Sequence, residues 1–405
     1  MLNKYKVFFN GNPDPSKDDF FKSINVQIQR INKNMDDFYK YKRDYEKLNI
    51  VNDICNLKCP YCVKNYNNLF SPVSIKTDEK IKLINKCIDQ FFLYKLKNNV
   101  YSTNISFNGG EILLDWKLIK SIIERISNKY KNIKVKYSLN TNMTLMTEEI
   151  AEFLYRYKFK VYISIDGYKE AHNKTRIYHD GRGSFDDVIK NLGIFRKYNK
   201  NYQIEGFQGT IEYPDEFDPL EVYKMGKYGF YSARLAPNLL NISEEDAIKK
   251  AKLMGRFLHL NSQNKFKVTE TYFENMKKLI NLEKYFFFFN CIGLSCFPKI
   301  ELSFNLSTLR INRLCSYIPK ATITFRELGY DIYNPKLWEI SSRFIQNRAE
   351  ALYENCINCE LVGICRGGCI YTGIDNENQL NKAACVYQKE LWKIYVKKVY
   401  ENKGS

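Results

Sequence analysis

The chain lacks the long apolar runs of a membrane protein: no stretch approaches the ~18 residues of a spanning helix, and the longest aromatic run is only Phe286 to Phe289. Its first residues, with Lys4 and Lys6 followed by Asn and Asp, lack the charged, apolar and small-residue order of a signal peptide. A cytoplasmic protein is expected. Histidine is scarce too, limited to His172, His179 and His259. Acidic residues are outnumbered, 45 against 63 basic ones for a net charge of +18, which suits an anionic partner. The basic residues are spread along the chain instead of gathering in an arm, so nucleic-acid binding is not favoured over a generally basic enzyme. There is no long internal repeat and no low-complexity linker. Hydrophobic residues make up 44%, which excludes general disorder, and 405 residues allow two or three domains at roughly 100 to 200 residues each.

Cysteine, by contrast, is plentiful. Twelve thiols in a reducing compartment need a use other than disulfides. They are grouped: Cys55, Cys59 and Cys62; Cys87 alone; Cys291, Cys296 and Cys315; then Cys356, Cys359, Cys365, Cys369 and Cys385.

Between residues 47 and 265 short apolar runs alternate with amphipathic ones, the pattern of successive βα units. Strands are expected at Leu48 to Val51, Asn104 to Phe107, Ile133 to Leu139, Lys160 to Ile165, Ile204 to Glu212 and Phe230 to Leu235. Helices fit between them, one carrying Ile81, Ile84, Ile88 and Phe91, the next Leu118, Ile119, Ile122, Ile123 and Ile126, and a third following Thr147. Ser184 with Asp187, and Ser243 with Asp246, have the spacing of capping boxes. The expected fold is α/β: six parallel strands curled into an open, TIM-like barrel, with chemistry at the C-terminal strand ends. Residues 1–46 read as an extension, 266–285 as a connecting helical segment, and 286–405 as a loop-rich domain ordered by metal, closing in a helix over Val386 to Val399.

Cys55-Asn-Leu-Lys-Cys59-Pro-Tyr-Cys62 directly follows the first strand. Three thiolates suit an iron–sulfur cluster with one iron left open. Structural zinc, the alternative, wants four ligands, and no fourth Cys or His is near in sequence. Further on, Gly109-Gly110-Glu111 follows the second strand, Ser138-Leu-Asn140-Thr-Asn142 ends the third, and Ser164-Ile-Asp166-Gly167 ends the fourth, offering hydroxyl, amide and carboxylate groups to a polar ligand.

With these residues the sequence resembles the radical S-adenosylmethionine (SAM) superfamily, whose signature is C-x3-C-x2-C after the first barrel strand. The resemblance implies that Cys55, Cys59 and Cys62 hold a four-iron four-sulfur cluster and that Tyr61 packs on adenine. Backbone carbonyls of Gly109, Gly110 and Glu111 are implied to take the SAM amino group. Ser164, and Arg176 of His172-Asn-Lys-Thr-Arg176, are implied to hold its carboxylate, with Asn140 or Asn142 near the ribose or sulfonium and Asp166 among the cofactor-binding groups.

The last five cysteines resemble the SPASM extension of that superfamily, C-x2-C-x5-C-x3-C followed by one more. This implies two auxiliary clusters, for three in all: one on Cys291, Cys296, Cys315 and Cys369, the other on Cys356, Cys359, Cys365 and Cys385. Cys291 is the weakest member, only five positions before Cys296. Cys87 remains, on an apolar helix face with Ile84 and Phe91, as a buried inert thiol.

The implied activity is reductive SAM cleavage and hydrogen abstraction from a residue of a ribosomally made precursor peptide, forming a thioether, ether or carbon–carbon crosslink, with a flavodoxin- or ferredoxin-like electron donor. Residues 1–46 are expected to contact substrate or its leader, though they look too short for a winged-helix leader-binding domain. Oxidation of Cys or Ser to formylglycine on a sulfatase is the alternative. Ser316 counts against it, standing where those maturases place an acidic base. From another class, a non-enzymatic electron carrier or zinc module would leave Gly109 to Glu111, Ser164 and Arg176 without a use.

Overall fold

The computed structural model describes residues 47–62, 77–198, 206–269, 301–313, 321–359, 361, 365 and 381–403. The extension at 1–46, most of the 266–285 segment, and Cys291, Cys296, Cys315 and Cys369 lie outside the described residues.

All six expected strands form: β1 (Lys47–Asn52), β2 (Ser102–Gly109), β3 (Lys134–Thr141), β4 (Lys160–Ser164), β5 (Gly206–Ile211) and β6 (Ser232–Pro237). Each pairs in parallel with the next. Parallel neighbours need helical crossovers, supplied here by α1 (Thr77–Lys97), α2 (Trp116–Lys129), α3 (Glu148–Arg156), α4 (Lys169–Thr175), α5 (Phe185–Tyr198), α6 (Pro219–Tyr223) and α7 (Glu244–Gln263). Their apolar stripes cover the outer face of the sheet. Ile84, Ile88 and Phe91 of α1 and Ile119, Ile122, Ile123 and Ile126 of α2 are buried there with Leu48, Ile105 and Phe107. Cys87 is in the same core, 1% exposed.

Capping is local chemistry where the sequence suggests it. Thr147 Oγ1 accepts from the Ile150 amide at 3.2 Å, and Ser243 Oγ accepts from the Asp246 amide at 3.0 Å, each occupying an otherwise unpaired first-turn N–H. The expected box at Ser184 and Asp187 does not form. Ser184 Oγ donates to the Arg176 carbonyl at 2.7 Å, and Asp187 is held by Tyr178 and Arg182.

The sheet extends beyond the six expected strands and beyond residue 265. Its order is β10-β9-β8-β1-β2-β3-β4-β5-β6-β7. β7 (Lys267–Thr269) occupies part of the segment expected to be a helical connection. β8 (Glu301–Asn305), from the expected loop-rich domain, runs parallel to β1, and β9 (Arg310–Asn312) and β10 (Ile323–Thr324) add antiparallel pairs. Because β1 is buried on both faces, a partner on its outer edge satisfies backbone groups that water cannot reach. Two long helices follow, α8 (Pro335–Cys356) and α9 (Lys382–Lys403). The second starts four residues before the expected helix, at Val386, so Cys385 lies inside it. Among the described residues no helix is long and apolar enough to cross a membrane.

Side chains on the inner face of the sheet are polar and partly open. Hydrogen bonds cross it from strand to strand: Asn49 Nδ2 to Ser303 Oγ at 3.2 Å, Asn108 Nδ2 to Asn49 Oδ1 at 2.6 Å, and Ser138 Oγ to Ser106 Oγ at 2.9 Å.

Gly109 ends β2 at φ +120°, where a Cβ would stand 2.0 Å from the Asn52 carbonyl oxygen. That backbone contact cannot yield as a flexible side chain would, and the dihedral itself disfavours any L-residue. Gly109→Ala should therefore destabilise the protein by about 2 kcal/mol or more, read as a lowered midpoint in equilibrium urea unfolding. An unchanged midpoint would contradict the contact.

Candidate active site

The loop after β1 is fastened from several sides. Gly110 N donates to the Asn52 carbonyl at 2.6 Å and Glu111 N to the Ile54 carbonyl at 2.9 Å. From the C-terminal part of the chain, Asn305 Nδ2 donates to Asp53 Oδ2 at 2.5 Å and Ser307 Oγ accepts from Asp53 N at 3.3 Å. Lys58 N donates to the Ile177 carbonyl at 2.7 Å, and Cys62 N to the Cys59 carbonyl at 3.1 Å. Cys55, Cys59 and Cys62 lie on this loop, and none is in a disulfide.

The sulfur of Cys55 has N–H donors beside it, whereas Cys59 is buried. Cys55 Sγ faces the Leu57 amide at 3.4 Å and Asn142 Nδ2 at 3.9 Å, both donors. Burial, then the neighbouring Asp166, Cys62 and Cys55, push the Cys59 thiol up to about 12, with Arg176 opposing. A bound metal deprotonates a coordinating thiol outright, and nearby N–H donors to sulfur are a means of tuning iron–sulfur clusters. Among the described residues no three His, Cys, Asp or Glu side chains converge as a single ion requires. A cluster that takes one thiolate per iron asks for a wider set.

Glu111 is fully buried and its side chain turns inward, away from any ligand. It accepts from Leu113 N at 3.0 Å, Thr141 Oγ1 at 2.8 Å and Asn142 N at 2.7 Å, tying the ends of β2 and β3 together. Burial pushes its carboxyl up to about 7 against those three donors. Only the backbone of Gly109 to Glu111 is left to meet a cofactor. Asn142 is committed as well: Nδ2 donates to Asn56 Oδ1 at 2.9 Å, and Oδ1 accepts from Thr144 N and Oγ1. Asn140, by contrast, has among the described residues only a 3.5 Å contact from Ser164 Oγ. Of the two asparagines expected near the ribose or sulfonium, Asn140 is the one with free hydrogen-bonding capacity.

Asp166 is the hub. Its Oδ1 accepts from Arg176 Nε at 3.0 Å and Thr210 N at 2.8 Å, and Oδ2 from Thr175 Oγ1 at 2.8 Å and from the Tyr61 hydroxyl. A carboxylate offers about four acceptor sites, and all are taken at 1% exposure. Asp166, expected among the cofactor-binding groups, is therefore a positioning residue. Burial works to raise its carboxyl, but Arg176, His172 and the hydrogen bonds hold it below the usual range. Arg176 uses only Nε on Asp166, and among the described residues its terminal nitrogens make no hydrogen bond; its guanidinium stands 5.9 Å from the Tyr61 ring centre. That leaves a planar fork beside Tyr61 and the cysteine loop, suited to a carboxylate.

A relay that sequence reasoning missed stands behind Arg176. Asp166 N donates to His172 Nδ1 at 3.3 Å, which fixes Nε2 as the protonated nitrogen facing Ser184 Oγ at 3.0 Å, and Ser184 donates to the Arg176 carbonyl. Burial holds His172 down to about 3. The His-x3-Arg spacing marked this histidine, but only the fold brings Ser184 to it. In the C-terminal part, Cys359 N donates to the Cys356 carbonyl at 2.9 Å and Cys365 N to the Leu361 carbonyl at 2.7 Å. Burial and then Cys359 raise the Cys385 thiol, so α9 brings Cys385 near Cys359.

The family model for the Radical SAM superfamily matches residues 49–214, from β1 past the end of β5. The chain carries a radical SAM domain. Beyond it, the chain is 27% identical over 387 residues to the radical SAM cyclopropyl synthase TigE of Paramaledivibacter caminithermalis, covering 88% of this chain and 74% of that one. It is 33% identical over 155 residues to a cysteine-type anaerobic sulfatase-maturating enzyme of Clostridium novyi, covering 37% and 40%. Relatives matched at the higher identities are thus spanned over less than half their length, 48% and 40%. In structure the radical SAM fold here resembles native anSMEcpe with bound AdoMet and Cp18Cys peptide, with a TM-score of 0.64 and 24% identity over 88% of this chain and 99% of that one.

Two outcomes test the site. Asp166→Ala strands the charge of Arg176 and should cost about 3–5 kcal/mol of stability, measured by chemical unfolding. The neutral His172 must gain a proton on unfolding in acid. Its contribution is complete above the unfolded pKa of 6.5 and falls by about 1.4 kcal/mol per pH unit below that. The stability gap between the wild type and His172→Gln should therefore narrow from pH ~7 to pH ~5.5; a constant gap would mean that the imidazole takes up its proton equally in the folded and unfolded chains.

Proposed function

We propose that this protein is a peptide-modifying radical SAM enzyme that joins an unactivated carbon of a precursor peptide to a second group by a thioether, ether or carbon–carbon bond. The observation that carries this reading is the extent of the TigE alignment. It covers 88% of this chain and 74% of that one, whereas the match to the sulfatase-maturating enzyme covers 37% and 40%.

In this proposal Cys55, Cys59 and Cys62 would hold a four-iron four-sulfur cluster, which would supply the electron for reductive cleavage of SAM and so the means of taking a hydrogen from the peptide. The chain's own groups place the reactants. The free fork of Arg176 and the hydroxyl of Ser164 hold the SAM carboxylate, carbonyls of Gly109 to Glu111 take its amino group, and Asn140 faces the ribose or sulfonium. Asp166 holds Tyr61 and Arg176 together beside them. Cys356, Cys359, Cys365 and Cys385 are assigned to one auxiliary cluster, and Cys291, Cys296, Cys315 and Cys369 to the other. Crosslinking removes two hydrogens from the peptide, one as an atom and one as a proton with an electron left over, and an auxiliary cluster held by the cysteines so assigned would supply an acceptor for that electron. A flavodoxin- or ferredoxin-like protein is the proposed donor of the initiating electron.

Formylglycine formation is the second reading, favoured by the fold likeness to anSMEcpe and opposed by Ser316 after Cys315. The test is anaerobic reconstitution followed by iron analysis and SAM cleavage under reduction. About twelve irons per chain, for three four-iron clusters, and release of 5′-deoxyadenosine are expected. Cys59→Ala should abolish the release, and Cys87→Ala, on the core face of α1, should retain it. Bound zinc with no release would overturn the proposal.

A further inference from the structure

The inner face of the sheet holds a cation that no part of the site described above uses. Arg234 is the third residue of β6, where burial alternates: Ala233 and Leu235 are packed in the core and Arg234 is exposed on the opposite face. Parallel register carries this face across the sheet. Ser164 pairs with Gln208, Gln208 with Arg234, and Arg234 with Thr269. Residues in register on adjacent strands point to the same side, and strands lie about 4.8 Å apart. Arg234 therefore stands about 10 Å from Ser164, backbone to backbone, at the same height in the barrel. Among the described residues it makes no hydrogen bond and no ion pair, and its flanking partners Gln208 and Thr269 are uncharged. Exposed cations elsewhere on the barrel are commonly paired, as Lys120 is with Glu149, Lys169 with Asp186, and Arg182 with Asp187. A guanidinium with no counter-ion among the described residues attracts any anionic group that approaches this face.

We propose that Arg234 receives a carboxylate of the substrate peptide, from an acidic side chain or a chain end close to the reacting residue, and so selects acidic over neutral sequences. A planar fork gives a carboxylate two parallel hydrogen bonds, and the ~10 Å offset separates this carboxylate from the one assigned to Ser164 and Arg176. The inference rests on the peptide reading of the site.

The test measures binding of three synthetic peptides to the reconstituted, SAM-loaded full chain. All share one neutral octapeptide sequence, acetylated at the N-terminus. One has a central Glu and an amidated end, one a central Gln and a free carboxyl end, and one a central Gln and an amidated end. The wild type should bind one of the two carboxylate peptides about tenfold more tightly than the neutral one, the scale of one charge-assisted contact, and the stronger of the two identifies the source. Arg234→Gln should erase the difference, and Arg234→Lys should keep part of it. Arg234→Glu should reverse it, favouring a peptide with central Lys, which a merely structural arginine would not do. Iron content and unfolding midpoint show that each variant is folded. Equal affinity of the wild type for all three peptides, including equal absence of binding, overturns the proposal. Discrimination without 5′-deoxyadenosine release supports the Arg234 site and removes the radical chemistry instead.

Discussion

One buried carboxylate organises the site. Asp166 gathers the cysteine loop through Tyr61, helix α4 through Thr175, the segment after it through Arg176, and β5 through the Thr210 amide. The cysteine loop, α4 with the segment that follows it, and β5 are thereby held to a common point. A charge so fully enclosed is tolerated only when every acceptor is filled. The same saturation explains why the groups around Asp166 are free to act while Asp166 is not: Arg176 spends one nitrogen on it and keeps the others open.

Much of this was legible in the chain. Alternation of period-2 and period-3.6 patterns set out six strands in order, because parallel strands joined by helices repeat the same pattern at each step. The cysteine loop, the glycine pair and the polar strand ends were readable because each combines an uncommon residue type with a place at a strand end. What could not be read was which polar atoms are already occupied. Glu111, Asn142 and Asp166 all look like ligands in a list of polar residues, and the fold shows each spent on internal donors, whereas Asn140 is not. Occupancy depends on what folds against a residue, which local sequence does not contain.

The misassignments have similar causes. Ser184 and Asp187 have capping spacing, but a buried imidazole twelve positions away takes the hydroxyl first. β7 to β10 were missed because they are two to five residues long, too short to show a period, and because the helix-and-strand alternation stops before most of them. Arg234 was invisible for yet another reason: which way a strand residue faces follows from register, and a shift of one position would place it among the helices.

The seating of β8 beside β1 bears on how such a chain is made. The strand that begins the sheet leaves the ribosome early, yet its outer neighbour is synthesised much later, with Asn49 and Ser303 separated by 254 positions. Until then a buried-type strand has one bare flank, the kind of edge that recruits foreign chains, and closing so long a loop is slow. Completion of the scaffold thus waits for a strand made 254 positions later, and the first cysteine loop, pinned by Asn305 and Ser307, gains its final shape only then.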